Sequence, residues 1–302
     1  MAKKPFLKSF TLPSGQIQDK YLLDSKNPKL RITFHNSAYP FKILNFWNHD
    51  DLKLQFGQIT LLYGNNGSGK STLLNVIAEK IEAERYTQYN GTVCFSDFCY
   101  HCNVEQIQIP YKKRIISSDE VFEKMLSLRD ANTYKLERQM QIYKEKYENL
   151  DNRVREVHFD DENSIKAFEK NCNLRRLSFS KLVKLSVGSD IALHSNGETA
   201  YHYFIDVIEP GGLYLLDEPE NSLSANLQEG LAEFIATMAE TGHCQFIIAT
   251  HSPFFLSIPK AILYNMDKKI ITKDRWTNLP TIKAYYNLFK KREAEFEEKM
   301  ET

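Results

Sequence analysis

The chemistry in this chain begins at Gly64 to Thr72, where Gly-Asn-Asn-Gly-Ser-Gly-Lys-Ser-Thr matches the phosphate-loop pattern G-x-x-x-x-G-K-[ST] at every fixed position. Gly64, Gly67 and Gly69 let the backbone approach phosphate oxygens, because a Cβ there would clash or forbid the positive φ that such a loop needs. The amides around Asn65, Asn66 and Ser68 then point inward at an anion. Lys70 is expected to bridge the β- and γ-phosphates of ATP, and the Ser71 hydroxyl, followed by Thr72, to ligate Mg2+. A loop of this kind works only between a buried strand and a helix. Ile59 to Tyr63 upstream is an apolar, partly β-branched run, and Leu73, Leu74, Ile77, Ala78 and Ile81 downstream repeat at three and four as one helix face does. The helix opening near Lys70 brings its positive dipole end and unpaired amides to the same spot.

Composition bounds what surrounds the loop. With 302 residues the chain has ample length to bury a core, in one large domain or two modest ones. Its 39 basic and 39 acidic residues cancel, so nothing global draws it to nucleic acid or membrane. No run of about 18 apolar residues is present, and the basic stretch from Met1 to Lys8 leads into no hydrophobic segment, so the expectation is a cytoplasmic protein without membrane insertion. Five cysteines, an odd number, suggest reduced thiols rather than a disulfide framework.

In chain order, residues 1–58 are expected to be strands and turns, an antiparallel β portion in which Leu30 to Phe34 alternates as a strand. Tyr39, Phe41, Phe46 and Trp47 are either core or a stacking surface for adenine. Cys94, Cys99, His101 and Cys102 read as packed thiols, with a zinc site as the alternative. Ser117 and Glu120 stand at capping-box spacing ahead of a helix. Leu136, Met140, Tyr143, Tyr147, Leu150 and Val154 follow at spacings of four and three, with a return through Ile165, Phe168 and Cys172 to Leu177. This helical insert, about 117–185, is either a projecting arm or a packed subdomain within a single domain spanning 1–302. Lys112 to Arg114, and Arg175, Arg176, Lys181 and Lys184, are the basic clusters; each reads as a solvated face, with nucleic-acid contact as the alternative. Asp160 to Glu162 reads as an acidic loop.

Beyond the insert, Leu213-Tyr-Leu-Leu-Asp217-Glu218 resembles a Walker B strand followed by a catalytic glutamate. Asp217 would hold the magnesium, directly or through water, and Glu218 would polarise the attacking water, both placed by a strand end beside the phosphate-loop strand. Ser195-Asn196-Gly197-Glu198 resembles the Ser-Gly-Gly-Gln signature of ABC-type ATPases, Ser222-Leu-Ser224 stands in the place of their D-loop, and His251 resembles their switch histidine. The chain is thus similar to ABC-type ATPases of the RecF and SMC-like kind, above all to stand-alone bacterial ATPases with Asn-Gly-Glu signatures and the run from Gly212 to Glu220. Asn196 and Glu198 depart from the usual signature, and the D-loop lacks its aspartate. Gln88, Gln106 and Gln108 are candidates for the Q-loop glutamine.

The resemblance implies an α/β P-loop NTPase fold of the ABC-ATPase type and a head-to-tail dimer, with ATP held between one phosphate loop and the Ser195 and Gly197 of the opposite subunit. It implies an ATP-driven switch serving a protein effector, in bacterial defence or DNA metabolism. The alternatives are the nucleotide-binding subunit of a membrane transporter and a nucleic-acid scaffold with little turnover.

Overall fold

The structure is a computed structural model and describes residues 4–24, 26–32, 38–43, 52–128, 130, 134, 137, 141 and 196–297. The chain divides into two compact units, one of Met1–Phe122 with Asn196–Thr302 and one of Glu123–Ser195. In the second, residues 123–128 are helical. The heptad positions from Leu136 to Val154, the return through Ile165 to Leu177, the basic residues Arg175 to Lys184, the acidic loop at Asp160 and the signature serine Ser195 lie outside the described residues, as do Phe46 and Trp47.

Among the described residues the first unit is built on nine strands: β1 Leu7–Thr11, β2 Lys53–Gln55, β3 Ile59–Tyr63, β4 Asn103–Gln106, β5 Lys112–Ser117, β6 Gly212–Asp217, β7 Gln245–Ala249, β8 Ile262–Asn265 and β9 Thr272–Asp274. Six of them form one sheet in the order β5-β6-β7-β3-β8-β9, parallel as far as β8 and closed by antiparallel β9. Strands buried on both faces are apolar without alternation, as parallel sheets require. Accordingly Leu61, Leu62, Leu215, Leu216, Ile247 and Ile248 are each 0% exposed. The antiparallel portion is a separate three-stranded sheet, β2-β1-β4, to which residues 1–58 give β1 and β2 while β4 comes from beyond the phosphate loop; residues 15–22, expected among strands and turns, are instead a helix capped by Ser14, which accepts from the Ile17 amide. Buried Gln245 joins the two sheets: its Oε1 accepts from the Leu7 amide at 2.8 Å, while its Nε2 donates to Leu7 O at 2.8 Å and Gly57 O at 2.9 Å.

Among the described residues the named helices are α1 Gly15–Leu22, α2 Pro28–Ile32, α3 Lys70–Lys80, α4 Phe95–His101, α5 Asn196–Val207, α6 Ala225–Glu240, α7 Pro253–Leu256, α8 Pro280–Lys291 and α9 Glu293–Glu297. The three-and-four pattern after the phosphate loop is α3, whose Leu73, Leu74, Val76 and Ile77 are wholly buried against the sheet. Cys94, Cys99 and Cys102 are free and buried in the same core, and burial pushes the Cys99 thiol up to about 12.

Three further expectations are corrected. Residues 30–32 belong to α2, not to a strand, because Asn27 accepts from the Lys29 amide at 3.0 Å and Pro28 presets the helical φ, so an N-terminal cap outweighs a short alternation. Lys112 to Arg114 form no solvated or nucleic-acid face. Their strand β5 pairs with β6; Lys112 reaches Glu209 at 2.8 Å, and Arg114 is 5% exposed, paired with Glu120 and 2.7 Å from the Tyr203 hydroxyl. Ser117 does cap the helix that starts at 118, accepting from the Glu120 amide at 3.2 Å, but the Glu120 carboxylate goes to Arg114 and Tyr203.

Candidate functional site

The carboxyl ends of β3, β6 and β7 carry the candidate residues, and the backbone locks those ends together. The Thr250 amide donates to Leu62 O at 3.1 Å and the Glu218 amide to Ala249 O at 2.9 Å, so the segments leaving all three strands begin side by side. In sequence the Walker B strand was expected beside the phosphate-loop strand. Here β7 lies between them, a separation of about 10 Å. The gap closes because Ser71 sits on α3, not on the strand: its Oγ donates to Asp217 Oδ1 at 3.0 Å.

The loop is shaped as its glycines demand. Gly67 and Gly69 have φ of 84° and 90°. Gly64 serves differently, since a Cβ there would lie 2.4 Å from Ser68 Oγ. Asn65, next in the loop, is pinned by a residue that carries no motif: Asp267, just past β8, accepts from the Asn65 amide at 2.8 Å and from its side chain at 3.1 Å. Lys70 is only 4% exposed, and its Nζ donates to Gly64 O at 2.7 Å and Asn65 O at 3.3 Å while lying 3.7 Å from Glu218 Oε1. Thr72 is engaged from outside the loop by Tyr39, whose hydroxyl donates to Thr72 Oγ1 at 2.9 Å. Burial, and to a lesser degree the Asp217 charge, raises the Tyr39 phenol. Of the aromatics singled out in sequence, Tyr39 therefore flanks the loop, whereas Phe41 is a core residue stacked on Tyr21.

Electrostatics distinguish the two neighbouring carboxylates. Burial, reinforced by Glu218 and Glu220, pushes Asp217 up to about 6 against the pull of Ser71 and Lys70. Glu218 adopts a left-handed backbone with φ of 50°, which turns its side chain toward Lys70, and Asn221 donates to its Oε2 at 3.2 Å. A second left-handed residue, Ser222 with φ of 71°, follows in the same turn. Two such non-glycine residues within one segment cost on the order of 1 kcal/mol or more each. Gly197, in the first turn of α5, packs on this segment; a Cβ there would lie 3.0 Å from Ser222 O and 3.1 Å from Leu227 Cδ1.

His251 follows β7, with its ring more than half exposed. Its neighbour was missed in sequence as a working residue: Glu220, buried to 5% exposure, accepts through Oε1 from Thr250 Oγ at 2.7 Å and the His251 amide at 2.8 Å, and lies 3.2 Å from His251 Nδ1. The signal was available only as an acidic residue inside the run from Gly212 to Glu220, with nothing local to say which way it points. Among the Q-loop candidates, Gln106 lies in the small sheet and donates to Gln108 O at 2.9 Å. Gln88 is the one next to the carboxyl end of the large sheet, since Thr87 Oγ meets Ser117 Oγ at 3.0 Å.

A buried ammonium coordinated by loop carbonyls, left-handed glycines and a hydroxyl–carboxylate pair of hard oxygens fit a triphosphate with a magnesium ion. The family model described as "ABC transporter" matches residues 47–221, and another, described as "AAA domain, putative AbiEii toxin, Type IV TA system", matches residues 195–257. A curated relative from Clostridium tetani (strain Massachusetts / E88), a "Putative ABC transporter ATP-binding protein", is 23% identical over 273 residues, which is 86% of this chain and 51% of the relative. The chain thus spans about half the length of the curated relative it matches. Among solved structures, a nucleotide-free ATP-binding cassette from an ABC transporter is 19% identical with a TM-score of 0.35, over 78% of this chain and 90% of that one. The Smc head domain with an extended coiled coil bound to the C-terminal domain of ScpA, from Pyrococcus furiosus, is 15% identical with a TM-score of 0.38, over 95% and 100%. Among the described residues no helix is long and apolar enough to cross a membrane. Because the "ABC transporter" match covers more than half of the sequence, the chain belongs to that family and is an ABC-type ATP-binding domain of the P-loop class.

Proposed function

We propose that the chain binds ATP with Mg2+ and hydrolyses it, working as a cytoplasmic switch whose two copies close head to tail on ATP and reopen after hydrolysis. The observation that carries this reading is the convergence of Ser71 and Asp217, 3.0 Å apart, with Lys70 and Glu218 at the end of one sheet. The amides from Gly64 to Thr72 and the Lys70 ammonium hold the phosphates. Ser71 and Asp217 hold the magnesium, which when bound supplies neutralisation of phosphate charge. A cation also offsets the cost of ionising Asp217 in its buried position. Glu218 orients and deprotonates the attacking water, and its left-handed backbone is what turns the carboxylate away from the strand and toward the loop. His251 contacts the γ-phosphate from the same subunit, and Ser195 and Gly197 reach the nucleotide of the opposite one. The γ-phosphate is then the group that favours the closed pair, since ADP lacks it.

The family description over residues 195–257, which names the AbiEii toxin of a type IV TA system, supports a bacterial-defence setting for the switch, with a protein effector as its proposed reader. A transporter-subunit reading is favoured by the name of the curated relative and of the larger family match. The nucleic-acid reading loses the Lys112 to Arg114 cluster, which is committed to internal pairs.

The experiment is steady-state phosphate release with ATP binding measured in parallel on wild type and Glu218→Gln. Wild type should turn over in a magnesium-dependent way, and Glu218→Gln should keep ATP affinity within about threefold while losing about 100-fold or more in rate. Unchanged turnover in Glu218→Gln would move the base elsewhere. Stable retention on a membrane-protein partner, in place of ATP-dependent pairing, would favour the transporter reading.

A further inference from the structure

We propose that Glu220 is a positioning residue that sets the orientation and the proton placement of the His251 ring, an inference that rests on the role given to His251 above. The ring is 53% exposed, so packing does not fix it, whereas the Glu220 side chain beneath it is only 4% exposed. A single carboxylate oxygen, Oε1, gathers Thr250 Oγ at 2.7 Å, the His251 amide at 2.8 Å and the Ser252 amide at 3.2 Å, and stands 3.2 Å from His251 Nδ1. The same carboxylate therefore shapes the turn that carries the histidine through three hydrogen bonds and lies within ion-pair distance of the ring. Ser252 ties that turn to α6 through Gln228 at 2.8 Å and caps α7 through the Phe254 amide at 3.3 Å, so the support beneath the ring is itself anchored.

The chemistry follows from what each atom can do. A carboxylate oxygen only accepts, so the proposal puts the ring proton on Nδ1, which stands 3.2 Å from Oε1, and leaves Nε2 as the atom presented to the nucleotide. An imidazole oriented by a carboxylate on one nitrogen so that the other can act is a recurring arrangement; in metal sites, loss of the orienting partner costs about 10- to 100-fold, the scale expected here. The second carboxylate oxygen, Oε2, is buried with no hydrogen-bond partner among the described residues, a cost that the three hydrogen bonds accepted by Oε1 must offset. Glu220 Oε1 is engaged by Thr250, His251 and Ser252, so its proposed action is through His251.

The test has a spectroscopic arm and a kinetic arm. In wild-type protein carrying 15N-labelled histidine, long-range 1H–15N spectra should show the His251 ring protonated at Nδ1, assigned by loss of that signal in His251→Ala. Glu220→Ala should release this preference, and Glu220→Gln, which keeps an acceptor oxygen in place, should restore it. In turnover, Glu220→Ala should lower kcat about 10- to 100-fold with ATP affinity within about threefold. The double variant with His251→Ala should be no slower than His251→Ala alone. A wild-type ring protonated only at Nε2, or a ring signal unchanged in Glu220→Ala, would overturn the proposal, as would an additive double variant. If His251→Ala itself hydrolyses ATP at the wild-type rate, the role given to His251 fails, while the ring signal still decides Glu220. Should Glu220→Ala not fold, the wild-type and Glu220→Gln spectra decide it alone.

Discussion

Lys70 illustrates how much of this site is prepared in the protein itself. An ammonium at 4% exposure is tolerated because two loop carbonyls and Glu218 surround it, and these are the partners that phosphate oxygens would displace. Replacing Lys70 with Ala should weaken ATP binding on the order of 100-fold, read by calorimetry, since a charge-assisted bond to phosphate is worth about 2–3 kcal/mol. Asp217 carries the opposite tension. Burial lifts its carboxyl from 3.8 to about 6, so the folded chain holds a proton that the unfolded chain has already lost between those values. Stability from this group is present below pH 3.8 and is lost as pH rises through about 6. Asp217→Asn should therefore stabilise the nucleotide-free protein by on the order of 1–2 kcal/mol at pH 7 and by nothing at pH 3.5, while removing magnesium-dependent turnover. Thermal melts of the two proteins across that pH range measure it.

Among the elements, β5 and α5 are joined by a buried network in which Arg114 pairs with Glu120 and both meet the Tyr203 hydroxyl, with the Tyr86 ring 4.2 Å from the guanidinium. Burial, and then the Glu120 partner, raises the Tyr203 phenol. Deleting one charge leaves the other buried and unpaired, so Glu120→Leu should cost about 3–5 kcal/mol, and Arg114→Met with Glu120→Leu distinctly less. Denaturant melts of both variants decide this, and equal losses would mean the pair is not isolated from water. The glycines of the phosphate loop belong to the same scale. Gly67→Ala meets no atom of the described residues within 4 Å yet must hold φ near 84°, and should cost about 1 kcal/mol. At Gly64 the cost is steric, against Ser68.

For the whole molecule, the proposed switch makes a prediction about mass. Glu218→Gln with ATP should convert single chains to a two-site dimer seen by light scattering, whereas ADP should not. Ser195→Arg should prevent that pairing while leaving ATP affinity within about threefold, because Lys70 and the loop amides supply the primary grip. A mass indifferent to nucleotide would end the switch reading and leave the domain's ATP binding in place.

What the sequence determined by itself was local. The phosphate loop, the strand before it, α3 after it, the β6 run into Asp217 and Glu218, and the strand before His251 each announce themselves within about a dozen residues, because periodicity and glycine placement act over that range. The alternation from Leu30 to Phe34 misled, because the structure starts a helix at Pro28 with Asn27 accepting from the Lys29 amide. Only the tertiary structure decided that β7 separates β3 from β6, that Lys112 to Arg114 turn inward, that Asp267 grips Asn65 across 202 positions of sequence, and that Glu220 sits beneath His251, 31 positions away. Those outcomes depend on which strands pair and which side chains find partners once water is excluded, and no window of sequence contains both partners.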